Sequence, residues 1–175
     1  MQGLLSENTR IRTPDNIDLC IECLDPGDTI LSAIATKELF PNIQIKETDI
    51  VGVVKMLCDH FNIINDELIG TDNQLVFVNS DWYPIKEIVK GMDVQKLTDK
   101  TVASKAIKND NRLINTKING VDRFNKQVGN VMYSLILKES DCFFAEGFIV
   151  KGEQSEEYEG YVSRLQSGRS TRPHK

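Results

Sequence analysis

The sequence predicts an all-β domain of many short strands, on three observations. Turn signals recur every several residues, the runs between them are rich in β-branched and aromatic side chains, and one short frame occurs twice. In chain order the turn signals are Pro14-Asp15-Asn16, Asp25-Pro26-Gly27-Asp28, Pro41-Asn42, Asn65-Asp66, Asn79-Ser80-Asp81, Asn109-Asp110-Asn111 and Asn119-Gly120. Such residues fix a turn dihedral, tolerate a left-handed backbone or bond their own main chain. Between them, Ile50-Val51-Gly52-Val53-Val54, Leu75-Val76-Phe77-Val78 and Val131-Met132-Tyr133-Ser134-Leu135-Ile136-Leu137 suit a pleated, half-buried surface. Val53, Val54, Leu57 and Phe61 also satisfy a helical stripe, so a helix competes from Ile50 to Phe61; the glycine and the branched pairs there favour strand.

The repeated frame is Ile-x-x-[Leu/Ile]-x-x-Gly-x-x-[Ile/Val], from Ile21 to Ile30 and again from Ile85 to Val94. In each copy the apolar residues three apart dock one helical turn on the core. Glycine then permits a reversal, and the branched residue restarts a strand facing inward. Two copies predict a duplicated β subdomain; the alternative is chance recurrence of a permissive frame.

A chain of 175 residues, 40% hydrophobic and 27% charged, can bury one ordinary core with no metal, cofactor or disulfide to hold it. No apolar run is long enough to cross a bilayer, and Met1 to Ser6 lacks the basic start and apolar stretch of a signal peptide, which predicts a cytoplasmic origin. A net charge of -5 gives no global attraction to nucleic acid. Four cysteines, Cys20, Cys23, Cys58 and Cys142, are too few and too unevenly spaced for a secreted disulfide scaffold.

The order of motifs resembles the Hint superfamily, the fold of inteins and Hedgehog autoprocessing segments, over nearly everything from Leu4 to Gly152. Leu5-Ser6-Glu7-Asn8-Thr9-Arg10-Ile11-Arg12-Thr13 is similar to that family's first block, and Ile21 to Asp28 follows at the family's distance. Leu68 to Gln74, followed by Trp82 and the second glycine frame, looks like the block whose pattern is Thr-x-x-His. Val131 to Leu135 through Phe143 to Val150 looks like the closing hairpin, which in active inteins ends in His-Asn. The resemblance implies a horseshoe of short strands with a pseudo-two-fold pair of β halves, here residues 1–152, followed by an appendage over 153–175.

The resemblance also says which side chains the chemistry would need. Self-cleavage starts when a Cys, Ser or Thr attacks the preceding carbonyl while a donor protonates the departing amide nitrogen. Leu4 stands in the nucleophile slot. Thr71 keeps the threonine of Thr-x-x-His, but Gln74 replaces the histidine, and a neutral amide is no general acid near neutral pH. The terminal His-Asn slots hold Lys151 and Gly152, so no cyclising amide is present. The sequence therefore points to a non-enzymatic module. The rival is autoprocessing near the N-terminus through Ser6, the nearest hydroxyl. The stretch from Thr98 to Asn130, where many inteins carry a homing nuclease, is too short for one.

Other constellations are bland. Cys20-Ile21-Glu22-Cys23 has redox or zinc spacing but no second ligand pair, so both cysteines are expected as small inward-facing residues of the docking turn. His60 beside Asp59 is expected to bond structurally or face solvent, and Trp82, Tyr83 and Pro84 to cap the core.

The C-terminal segment differs from the rest. Ser155 can cap a short amphipathic helix with Glu156 and Glu157 in its first turn and a stripe of Tyr158, Tyr161, Val162 and Leu165. A basic arm with Arg169 and Arg172 follows. A helix this short needs a surface to dock on, either its own domain or another chain, and the second makes these six residues candidates for binding other protein subunits of an assembly. Such a module would suit a virus or phage particle, giving a virion location if viral and a cytoplasmic one otherwise. Nucleic acid enters only through the basic arm.

Overall fold

The computed structural model describes residues 3–34, 43–98 and 113–156, the side chains of 126–128 excepted. The described residues form fourteen strands. They are β1 (Leu5–Ser6), β2 (Arg10–Arg12), β3 (Asp18–Cys20), β4 (Thr29–Ile34), β5 (Gln44–Ile64), β6 (Leu68–Gly70), β7 (Leu75–Val78), β8 (Asp81–Pro84), β9 (Asp93–Leu97), β10 (Leu113–Lys117), β11 (Val121–Leu137), β12 (Cys142–Ala145), β13 (Phe148–Lys151) and β14 (Glu153–Gln154). One sheet runs β14-β11-β1-β6-β5-β4, with β11 also pairing β5, and the other runs β10-β9-β7-β13-β12-β2-β3, with β8 on β7. The all-β expectation is met, and Ile50 to Phe61 is strand throughout.

The reversals fall where the turn residues stand. Asn65 and Asp66 (φ 53° and 57°) turn β5 into β6, and Asn79 and Ser80 (φ 48° and 61°) turn β7 into β8. Glu146 and Gly147 (φ 50° and 80°) close the β12–β13 hairpin. Consecutive left-handed residues match the right-handed twist of the strands they join. Pro41-Asn42 and Asn109 to Asn111 lie outside the described residues.

Not every strand is short, contrary to expectation. β5 has 21 residues and β11 has 17. Turn signals mark only reversals, and these two strands pass from one half of the molecule to the other without reversing. Gln44 to Asp49 of β5 pair with β4, and Ile50 onward pairs antiparallel with β11. Register shifts at Asn125/Asn130 and Ile136/Leu137 let the long ribbon bend.

The internal repeat is real in three dimensions, because its two copies make the same hydrogen bonds. Ile21–Cys23 and Ile85–Glu87 each form one 3-10 turn. Gly27 and Gly91, at φ 100° and 95°, supply the two reversals. Gly27 N–H donates to Ile50 O (2.7 Å) and Ile50 N–H to Asp28 O (2.8 Å), while Gly91 N–H donates to Ile118 O (2.8 Å) and Ile118 N–H to Met92 O (2.8 Å). Ile21, Leu24 and Ile30 of one copy and Ile85, Ile88 and Val94 of the other are all buried in the same core with Ile11, Val76, Phe143 and Phe148.

Two further expectations are corrected. Cys23 is exposed and Cys20 half-buried, because Ile21 and Leu24 take the inward positions of the turn. The sheet also does not stop at Gly152: Glu153 and Gln154 form β14, parallel to Ile136 and Leu137, so the appendage joins the domain as a strand. A helical turn starts at Ser155 and Glu156, where Ser155 Oγ donates to Lys138 O (3.5 Å).

Candidate functional site

The five slots of the sequence comparison meet at one seam between the two halves. β1 lies between β6 and β11, with Leu5 opposite Gly70 on one side and Tyr133 on the other. That position lays Leu4 along the turn after β6. Leu4 N–H donates to Thr71 Oγ1 (3.0 Å), and Thr71 N–H donates to Leu4 O (2.9 Å). The Leu4 side chain, 5% exposed, packs with Phe61 and Met132. The slot that would need an attacking heteroatom thus holds hydrocarbon in an apolar cluster.

Gln74 closes the turn that Thr71 opens, its N–H donating to Thr71 O (3.0 Å). Its carboxamide is buried, and Nε2 donates to Lys151 O (2.8 Å) and Leu75 O (3.0 Å). A glutamine in the histidine slot therefore ties the N-terminal seam to β13. Leaving either carbonyl unpaired in this buried position would cost more than the bond itself is worth. Gly3 rests on the same turn: a Cβ there would lie 2.3 Å from Gln74 Cα and 2.6 Å from Gln74 N.

The other end of the seam is equally filled. Lys151 Nζ pairs with Asp141 Oδ2 (2.6 Å) and lies 5.2 Å from the Trp82 ring centroid. Gly152 N–H donates to Asp141 O (2.8 Å). A Cβ at Gly152 would meet Leu135 O at 2.8 Å and Phe143 Cε1 at 3.1 Å, so the slot where the family places an asparagine has no room for its side chain. Beyond it the chain continues into β14, where Glu153 is buried.

The Ser6 alternative can be placed too. Ser6 Oγ lies 3.4 Å from Thr9 Oγ1, and Ser6 O accepts from Thr9 Oγ1 (2.7 Å). The bond it would cleave follows Leu5, 1% exposed and flanked by strands on both sides. Among the described residues the one histidine is His60, exposed on β5 with Nδ1 2.7 Å from Asn125 Oδ1, in contact with none of the five slots. Nor are the Cys142 and Cys58 thiols activated. Burial pushes Cys142 above the ordinary thiol range, with Asp141 adding to the shift, and burial also raises Cys58. Tyr158, Tyr161, Val162, Leu165, Arg169 and Arg172 lie outside the described residues.

Sequence reasoning missed two features of the seam. Asp141, partner to both Lys151 Nζ and Gly152 N–H, carries no motif. The repeat also begins earlier than the glycine frame. Ser6-Glu7-Asn8-Thr9 and Thr71-Asp72-Asn73-Gln74 are equivalent turns: Thr9 N–H donates to Ser6 O (3.4 Å) as Gln74 N–H does to Thr71 O, and Thr9 O and Gln74 O accept from Ile21 N–H and Ile85 N–H (both 2.9 Å). The shared [Ser/Thr]-[Glu/Asp]-Asn was legible in the sequence.

Two cavities among the described residues are lined by none of the five slot residues. One, of about 80 Å³, is walled by charges that answer one another: Arg10 on Glu146 (2.9 Å), Arg12 on Asp18 (2.6 Å) and Lys96 on Glu67. An open groove of about 500 Å³ lies between Asn65, Thr98, Ile114 and Asn119. Among the described residues no group of three His, Cys, Asp or Glu could hold a metal ion, and no helix is long and apolar enough to cross a membrane.

No protein-family model and no curated protein matches the chain. Solved structures do. A bacterial intein-like domain from Clostridium thermocellum is 13% identical with a TM-score of 0.64, over 87% of this chain and 99% of that one. The DnaX mini intein from Spirulina platensis is 16% identical with a TM-score of 0.61, over 85% and 99%. A DnaB intein from Synechocystis is 12% identical with a TM-score of 0.57, over 86% and 99%. At such identities the likeness bears on fold alone, and it agrees with the curled sheets and the doubled half: the chain has the fold of inteins and intein-like domains.

Proposed function

We propose that this chain is a non-catalytic module that keeps the intein scaffold and acts by contact with other protein subunits of an assembly. The observation that carries the reading is Gly152, where a Cβ would lie 2.8 Å from the Leu135 carbonyl and the chain runs on as a paired strand. A cyclising amide needs a side chain and a loose backbone at that point, and the packing supplies neither. The hydrocarbon at Leu4 and the structural bonds of Gln74 support the same reading from the other end of the seam. The partner contact rests on the apolar stripe of Tyr158, Tyr161, Val162 and Leu165 with the basic Arg169 and Arg172. A virus or phage particle is the setting in which we place it.

The test is the intact mass and sedimentation of the full chain recovered from its native source. A full-length mass is expected, with co-sedimentation alongside other subunits that is lost when residues 157–175 are deleted. Fragments ending near Leu5 or Val150 would overturn the reading in favour of autoprocessing, with Ser6 as the nucleophile for the first. A shortened chain that co-sediments as well as the full one would remove the tail as the docking element.

A further inference from the structure

Asn119 and Gly120 join β10 to β11 at the point where the second glycine frame is tied down, since Ile118 next door exchanges hydrogen bonds with Gly91 and Met92. The Asn-Gly pair is chemically special. A glycine nitrogen carries no neighbouring side chain to hinder its approach to the preceding asparagine's Cγ. Here the space is open as well, because a Cβ built at Gly120 meets nothing within 4 Å. The Asn119 side chain is exposed and makes no hydrogen bond among the described residues.

One side chain restrains both backbone nitrogens. Asn65 Oδ1 accepts from Asn119 N–H (2.6 Å) and from Gly120 N–H (3.3 Å), and Asn65 N–H donates back to Gly120 O (3.0 Å). Asn65 can reach across because it sits at φ 53° in the β5–β6 turn, a conformation asparagine adopts at little cost. A Gly120 nitrogen whose hydrogen points at Asn65 is directed away from Asn119 Cγ and is harder to deprotonate.

We infer that Asn119-Gly120 is a latent succinimide site and that the Asn65 carboxamide oxygen is its guard. In the guarded reaction hydroxide removes the Gly120 amide proton, and the nitrogen attacks Asn119 Cγ. The new C–N bond forms as the Cγ–Nδ2 bond breaks, and Nδ2 leaves as ammonia with a proton taken from water. Water then opens the ring at either carbonyl, leaving aspartate or its β-linked isomer. The product adds a negative charge to the groove beside Glu67, and the β-linked form lengthens the main chain next to the buried Ile118.

The test is peptide-level mass spectrometry of the full chain aged at mildly alkaline pH, following the one-dalton gain and the β-linked isomer at 119. Asn65→Gly removes the oxygen while keeping a residue that accepts positive φ, so deamidation at 119 is expected to rise about tenfold, the scale set by losing these hydrogen bonds. Asn65→Asp keeps an acceptor oxygen and is expected to stay near the wild-type rate. Circular dichroism before ageing establishes that each variant is folded. The inference is overturned if folded Asn65→Gly deamidates no faster than wild type. It is equally overturned if wild type already reacts as fast as a short Ile-Asn-Gly-Val peptide.

Discussion

Gly152→Asn, which places at this position the asparagine expected of active inteins, is expected to destabilise the fold by about 2–3 kcal/mol and to release no fragment. The reason lies in the contacts: the new Cβ would stand 2.8 Å from a main-chain carbonyl of β11 and 3.1 Å from the ring of Phe143, itself 1% exposed. Neither neighbour is the free end of a flexible side chain. Either β14 must detach from Ile136 and Leu137 or the β12–β13 hairpin must shift, and both disturb the closing seam. Urea unfolding followed by fluorescence of Trp82, which packs edge-on against Phe77 with ring centroids 5.2 Å apart, measures the loss. An unchanged midpoint would mean that the close packing at 152 is not a constraint.

The N-terminal junction should behave in the opposite way. There the backbone arrangement persists, with Leu4 N–H held by Thr71 Oγ1 and the turn closed at Gln74. What is missing is a nucleophile and a proton donor on two existing positions. The double variant Leu4→Cys with Gln74→His is therefore expected to carry out the first acyl shift. The introduced thiolate attacks the Gly3 carbonyl, the introduced imidazole gives its proton to the departing backbone nitrogen of position 4, and a thioester replaces the amide. Hydroxylamine cleaves that thioester, so release of a fragment ending at Gly3 is the readout. It is expected at about 10²-fold or more above either single variant, the usual worth of a placed general acid. A folded double variant that yields no such fragment would show that Thr71 and its turn no longer present the bond for attack.

The contrast between the junctions explains what could be read from the sequence. Turns, β-rich runs and the glycine frame are local properties, so the strand class, the reversals at Asn65-Asp66 and Asn79-Ser80 and the doubled half were all legible. The lengths of β5 and β11 were not. A strand that crosses from one half to the other carries no punctuation, and its bend comes from register shifts that only pairing reveals. The residues of the seam were found by motif order, and Leu4, Thr71, Gln74, Lys151 and Gly152 do come together. Their structural roles were hidden because those depend on contacts far apart in the chain. Gln74 bonds Lys151 O, Lys151 pairs with Asp141, and the Leu135 carbonyl closes over Gly152. The inward placement of Cys20 and Cys23 failed for a simpler reason: a 3-10 turn buries only one side, and Ile21 and Leu24 occupy it.

A seam of ordinary packed structure must resist solvent as the core does, and hydrogen exchange measures that directly. Gly152 N–H is bonded to Asp141 O and the following strand is paired to β11, so the amides from Gly152 to Gln154 should exchange as slowly as those of the β12–β13 hairpin. Exchange there at the rate of an exposed turn such as Asp15-Asn16 would mean that this junction still opens as a cleavage site must, and would contradict the account.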